Sequence, residues 1–260
     1  MENQKNNTKT IIRIVNTFFI IAFVIVLAVV GWLLYNELYP NDEIIVKTIA
    51  SDDTGINWDR LREMNPDIVG WIKIDDTRID SPVVQTTDNV KYLNTNFQGD
   101  WDERGTLFLD CDYHWDGTAK NSVIYGHSIF REGSGIHVMF DDLHNYIDSE
   151  NPEDYYQKHK IIEYDRPPDK GGNAKYQIIS VFECESITDY VKMYFGSEQE
   201  FVDYYTNLVG MSAVKTYATI APGEEILTLS TCTEKVQFND GRLVVIAKRL
   251  HFGYEGGTQN

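Results

Sequence analysis

Basic charge is scarce in this chain, and so is cysteine. Lysine and arginine number 23 against 40 aspartates and glutamates, a formal net charge of −17. Lys5, Lys9 and Arg13 outweigh Glu2 at the start, so the whole deficit falls on the residues that follow. Phosphates would repel such an acidic body, which excludes nucleic acid as a partner. The charge suits solubility on the far side of a membrane. Three cysteines allow at most one disulfide. There is no internal repeat and no low-complexity tract. What is abundant is apolar and aromatic: 42% hydrophobic residues, with 16 Tyr and 12 Phe, a composition that argues against disorder and suits a β-rich fold.

A local absence sets the organisation. No charged residue occurs from Ile14 to Asn36, a length of about 34 Å as a helix and enough to cross a hydrocarbon core. Lys5, Lys9 and Arg13 precede this run, and Glu37, Asp42 and Glu43 follow it. That bias places the N-terminus in the cytoplasm and the rest outside. A cleaved signal peptide is the rival reading, but it wants a shorter core and a small-residue exit, whereas the exit here is Trp32-Leu33-Leu34-Tyr35. The expected organisation is a cytoplasmic tail (1–13), a single-pass transmembrane signal anchor (14–36), a polar stalk (37–55) and an extracellular globular domain (56–260). That domain is long enough to bury a core of its own.

Within the domain, Asn57 reads as the N-cap of a short helix to Met64, with Pro66 as its stop and Trp58, Leu61 and Met64 facing the body. Strand-like runs then dominate: 68–74, 79–84, 106–109, 122–125, 160–164, 176–182, 226–231 and 243–248. Helical patterns interrupt them at 136–146, 152–159 and 197–208. In the last, Phe201, Tyr204, Tyr205 and Leu208 mark one face, and Ser197 with Glu200 makes a capping box. The fold expected is mainly β, an eight-stranded barrel with a few peripheral helices.

The chemistry gathers near the end of the chain. Thr228-Leu229-Ser230-Thr231-Cys232 closes one strand, and Arg242 opens the next after the turn signal Phe238-Asn239-Asp240-Gly241. Paired as antiparallel neighbours, Cys232 and Arg242 would face each other about 5 Å apart. A thiol beside a guanidinium is placed to become a nucleophile. Cys111 and Cys184 lie in or at the end of strand-like runs, where a buried inert thiol is the common outcome. A nucleophilic cysteine needs a histidine in reach. Of six, His127 stands out, because the strand Ser122–Tyr125 breaks at Gly126 and delivers an imidazole at its rim. A lone histidine in that position is often only a polar surface group; beside Cys232 and Arg242 it completes a three-part constellation.

These motifs, Tyr125-Gly126-His127, Thr228 to Cys232 and Arg242 in that order, resemble the signature of the sortases, membrane-anchored cysteine transpeptidases of Gram-positive bacteria. The likeness runs from about Asn57 to Leu250. Asn65 to Ile72, Ile79 to Gln85, and the helix-bearing insertion from Ile187 to Leu208 resemble class B in particular. The resemblance implies a sortase-like eight-stranded barrel and a reaction in two acyl transfers. Cys232 would cleave a C-terminal sorting motif of a secreted protein and hold the acyl group as a thioester. His127 would act as acid and base, and Arg242 would steady the oxyanion. The implied acceptor is an amine of a lipid-linked peptidoglycan precursor. It further implies that Tyr190, Val191, Ser230 and Glu234 line the substrate groove; barrel packing or solvated surface is the alternative for these four. The calcium-binding acidic cluster of class A is not recognisable, and Asp110 and Asp112 beside Cys111 are too little for a metal site, so no cofactor is expected. A pilin polymerase with a lysine acceptor shares the same residues. A papain-type peptidase lacks its cysteine at the head of a long helix, and a non-catalytic membrane-tethered barrel would make the constellation accidental.

Overall fold

The computed structural model describes residues 17–27, 29–30, 46, 51–52, 55–128, 139–233 and 240–250. The chain divides into two compact units, Met1–Gly55 and Ile56–Asn260. In the first, residues 17–27 and 29–30 are helical, and their large apolar side chains are exposed. No helix among the described residues is long and apolar enough to cross a membrane. Residues 14–16, 28 and 31–36 of the expected anchor, and most of the expected stalk, lie outside the described residues.

The second unit is built on eight strands: β1 (Ile68–Lys73), β2 (Asp80–Val84), β3 (Leu107–Leu109), β4 (Asn121–Tyr125), β5 (Ile161–Asp165), β6 (Ala174–Glu185), β7 (Ile226–Thr233) and β8 (Gly241–Arg249). They close into a barrel in the order β8-β6-β5-β1-β2-β3-β4-β7. Two of the pairings, β2 with β3 and β4 with β7, are parallel, and the others are antiparallel. The helices are α1 (Trp58–Met64), α2 (Asn145–Asp148), α3 (Pro152–His159) and α4 (Glu198–Gly210). Asn57 caps α1 by accepting from Arg60 N at 3.1 Å, and Leu61 is the residue α1 buries.

Alternation along the strands sorts side chains to two faces. Ile72, Val83, Leu107, Ile124, Leu227, Leu229, Leu243 and Val245 belong to one core, and the barrel's apolar mass sits there. The opposite faces of β6, β7 and β8 carry Ile179, Phe182, Cys184, Ile226, Val244 and Ile246, which join a second cluster with Phe201, Tyr205 and Leu208 of α4. Because both of its faces are covered, β8 reads as an unbroken apolar run from Leu243 to Ala247. Ser197 caps α4 by accepting from Glu200 N at 3.2 Å, and Glu200 reaches back to the Gly196 N–H at 2.7 Å.

The helix expected over 136–146 takes another form. Its described part is a 3-10 turn, Asp141–His144, running into the single turn of α2. Phe140, Leu143 and Tyr146 recur every third residue, a spacing that a three-residue turn stacks on one face, and all three are buried.

Candidate active site

The β7–β8 register places Arg242 directly across from Cys232. On its other side Arg242 faces Cys184 of β6. The three residues therefore form one cross-strand row on the outward face of the barrel, with the guanidinium in the middle. β7 runs on to Thr233, so Cys232 lies within the strand rather than at its end, and it is exposed. Cys184 is buried, and burial pushes its thiol pKa up. Cys111 is raised by loss of solvation and by its neighbours Asp110 and Asp112.

Arg242 is held from behind. Its Nη1 donates to Asp240 Oδ1 and, at 3.0 Å, to the Gly241 carbonyl. Partial burial opposes the guanidinium charge, but Asp240 and the Cys232 sulfur outweigh it, and the pKa lies above its ordinary value. Asp240 is in turn anchored by Ser186 and Arg242, which keep its carboxyl below the usual range. This leaves a fixed cation beside the exposed sulfur.

His127 arrives on the neighbouring strand. β4 runs parallel to β7 with Tyr125 opposite Ser230, and Gly126 N donates to the Ser230 carbonyl at 3.2 Å. The register carries His127 towards the level of Cys232. A Cβ on Gly126 would strike Leu107 and Phe140, so only glycine lets the strand end this close to them. Phe140 N donates to the His127 carbonyl at 3.1 Å. The ring itself engages Leu93: Nε2 is 2.8 Å from the Leu93 carbonyl. A carbonyl only accepts, so Nε2 carries a proton, and Nδ1 is the nitrogen that can take one up or give one.

Ser230 and Tyr190 meet in the wall of the site, Tyr190 Oη lying 3.0 Å from Ser230 Oγ. Burial raises the Tyr190 pKa, so it stays a neutral phenol, with Arg242, Cys184 and Cys232 among its electrostatic neighbours. Tyr190 is also a member of the apolar cluster under α4, and Val191 packs against it. The strip that carries both is tied down by Lys120 N donating to the Met193 carbonyl at 2.8 Å and by Tyr194 Oη donating to the Asp112 carbonyl at 2.7 Å. Glu234 lies outside the described residues. Asp110, Cys111 and Asp112 bring possible ligand atoms within 4.8 Å of one another. Asp110 already accepts from Asp112 N at 2.8 Å and from Tyr125 Oη at 2.7 Å.

Three groups that bear on the site escape sequence reasoning. Leu93 contributes a backbone carbonyl, which every residue carries. Asp240 could have been found as an acid two residues before Arg242. Ser128 adjoins His127, yet its partners become visible only in three dimensions.

Comparison with known proteins gives the class. The sortase domain family matches residues 72–250. Sortase B of Listeria monocytogenes is 31% identical over 84% of this chain and 89% of its own length; sortase B of Staphylococcus aureus is 30% identical over 74% and 73%. Among solved structures, the Staphylococcus aureus sortase B–substrate complex is 30% identical with a TM-score of 0.64, covering 74% of this chain and 83% of that one. Clostridium perfringens sortase B is 27% identical with a TM-score of 0.65, over 75% and 100%. The barrel and its exposed thiol thus belong to a cysteine transpeptidase: this chain is a member of the sortase family. Within that family its relatives place it in class B.

Proposed function

We propose that this sortase joins secreted proteins to the cell wall, with Cys232 as nucleophile, His127 as general acid and base, and Arg242 as oxyanion support. The Cys232 thiolate attacks the carbonyl carbon of a residue in a C-terminal sorting motif. The tetrahedral intermediate collapses with cleavage of the C–N bond, and the imidazolium of His127 gives its proton to the leaving amine. A thioester on Cys232 remains. An incoming amine then attacks that carbonyl, loses its proton to His127, and expels the thiolate. Arg242, held by Asp240, faces the oxygen that becomes negative in both steps. Ser230 and Tyr190 line the substrate side, and Val191 shapes the wall from beneath. The acceptor is an amine on a lipid-linked peptidoglycan precursor. Residues 14–36, free of charge and flanked by basic residues on one side only, anchor the chain in the cell membrane with the domain 56–260 outside.

One observation carries this reading: the exposed cysteine has a fixed arginine as its cross-strand partner, while burial or acidic neighbours suppress the other two thiols. The test is to incubate the purified protein with peptides bearing Asn-Pro- or Leu-Pro-type sorting motifs. The expected product is a hydroxylamine-sensitive acyl adduct on Cys232, absent from Cys232→Ala and not formed by His127→Ala. Full cleavage by Cys232→Ala would end the reading.

A further inference from the structure

A second histidine lies against the reacting groups, and the two acyl transfers do not use it. His144 ends the 3-10 turn Asp141–His144 and is 5% exposed. Its Nε2 is 3.1 Å from Ser128 Oγ. Ser128 Oγ donates its one proton to Asp141 Oδ1 at 2.9 Å, so its oxygen meets His144 Nε2 as an acceptor. The Cys232 backbone is among the groups that act on the same imidazole, favouring its protonated form. Burial is the largest influence on the ring and lowers its pKa towards the neutral form; Asp148, whose Oδ2 is 3.8 Å from Nδ1, acts against it together with Glu183 and Asp141.

Position gives this contact its meaning. Ser128 directly follows His127, and the turn that carries His144 begins beside Phe140, which bonds the His127 carbonyl. That turn also packs against β8, the strand of Arg242. One buried ring is therefore bonded to the residue after the acid–base group and lies within the electrostatic reach of the nucleophile's backbone. The intervening residues 129–138 are not needed for the connection.

We propose that His144 is a positioning residue for the transpeptidation, holding the chain that carries His127 in place through its hydrogen bond to Ser128. The inference rests on Cys232 and His127 having the roles assigned above. A buried ring of this size could serve packing alone. What separates the two is the demand for a donor at Nε2: packing needs only the shape, whereas positioning needs the hydrogen bond to Ser128.

The experiment compares the full chain with its His144→Phe, His144→Gln and Ser128→Ala variants. The readouts are kcat and KM for cleavage of a sorting-motif peptide, together with Tm. His144→Phe keeps a ring but loses the bond to Ser128, and its expected loss in kcat is about 10- to 100-fold, the scale set by misplacing a catalytic group by about 1 Å, with KM within about twofold. His144→Gln keeps an amide donor and is expected to recover most of kcat. Ser128→Ala is expected to lose kcat in the same direction as His144→Phe. A His144→Phe variant that is folded at the assay temperature and has wild-type kcat overturns the proposal, as does a His144→Gln variant no better than His144→Phe. Where Phe at this position unfolds the domain, Ser128→Ala decides: an unchanged kcat overturns the proposal, and a loss of about tenfold supports it. Failure of the underlying assignment looks different, because the unmodified protein then forms no adduct on Cys232.

Discussion

Cys232 presents its sulfur to solvent beside a guanidinium, whereas burial raises the Cys184 thiol and two carboxylates help to raise that of Cys111. Alkylation tracks the thiolate and its access. Iodoacetamide at neutral pH is therefore expected to label Cys232 first and Cys184 last, read by peptide mapping against time; faster labelling of Cys111 would contradict the electrostatic ordering. Gly126 makes a second residue-scale case. Its Cβ would collide with Leu107 and Phe140, so Gly126→Ala should destabilise the domain by about 1–3 kcal/mol in urea unfolding, a typical cost of overpacking. It should also lower peptide cleavage by displacing His127; a variant that loses neither stability nor activity would mean that the two side chains yield freely. In the sequence this glycine was legible as a strand breaker. Its steric reason was not, because Leu107 and Phe140 approach from opposite directions along the chain.

At the scale of elements, α4 holds the wall of the site. Phe195 meets the rings of Phe201 and Tyr204 edge-on, and Lys192 pairs with Glu200. Phe201 is fully buried, so Phe201→Ala is expected to cost about 3–5 kcal/mol. Because Tyr190 and Val191 belong to the same cluster, KM for the peptide should rise as well. A stability loss with KM unchanged would separate the helix from substrate binding. The amphipathic spacing of Phe201, Tyr205 and Leu208 made this helix legible, and the structure places it at Glu198–Gly210. The segment before α2 was harder to read: Phe140, Leu143 and Tyr146 fit a helical pattern loosely and a three-residue turn better. Val191 was grouped with Tyr190 by adjacency, and both meet the apolar cluster that α4 covers.

For the whole molecule, the barrel closes through the parallel pairing of β4 with β7, strands about 100 residues apart that no turn signal connects. Burial links the fold to pH through His144. Its pKa falls below the ordinary 6.5 on folding, so between that value and its folded pKa the unfolded chain binds more protons. The contribution is intact above about pH 6.5 and is lost as the pH drops towards the folded value. Tm should thus decline on acidification through this range, and His144→Gln should flatten the decline relative to the unmodified protein. An identical slope in both would assign the effect to other groups.

The sequence by itself determined the β-rich class, the strand that bears Cys232 and the arginine opposite it. These depend on local patterning and on a hairpin whose partners are ten residues apart. Only the tertiary structure decided which carbonyl orients His127 and that His144 bonds Ser128. Such contacts join segments distant in the chain through single atoms, and they arise only once the closed barrel has set the distances between them.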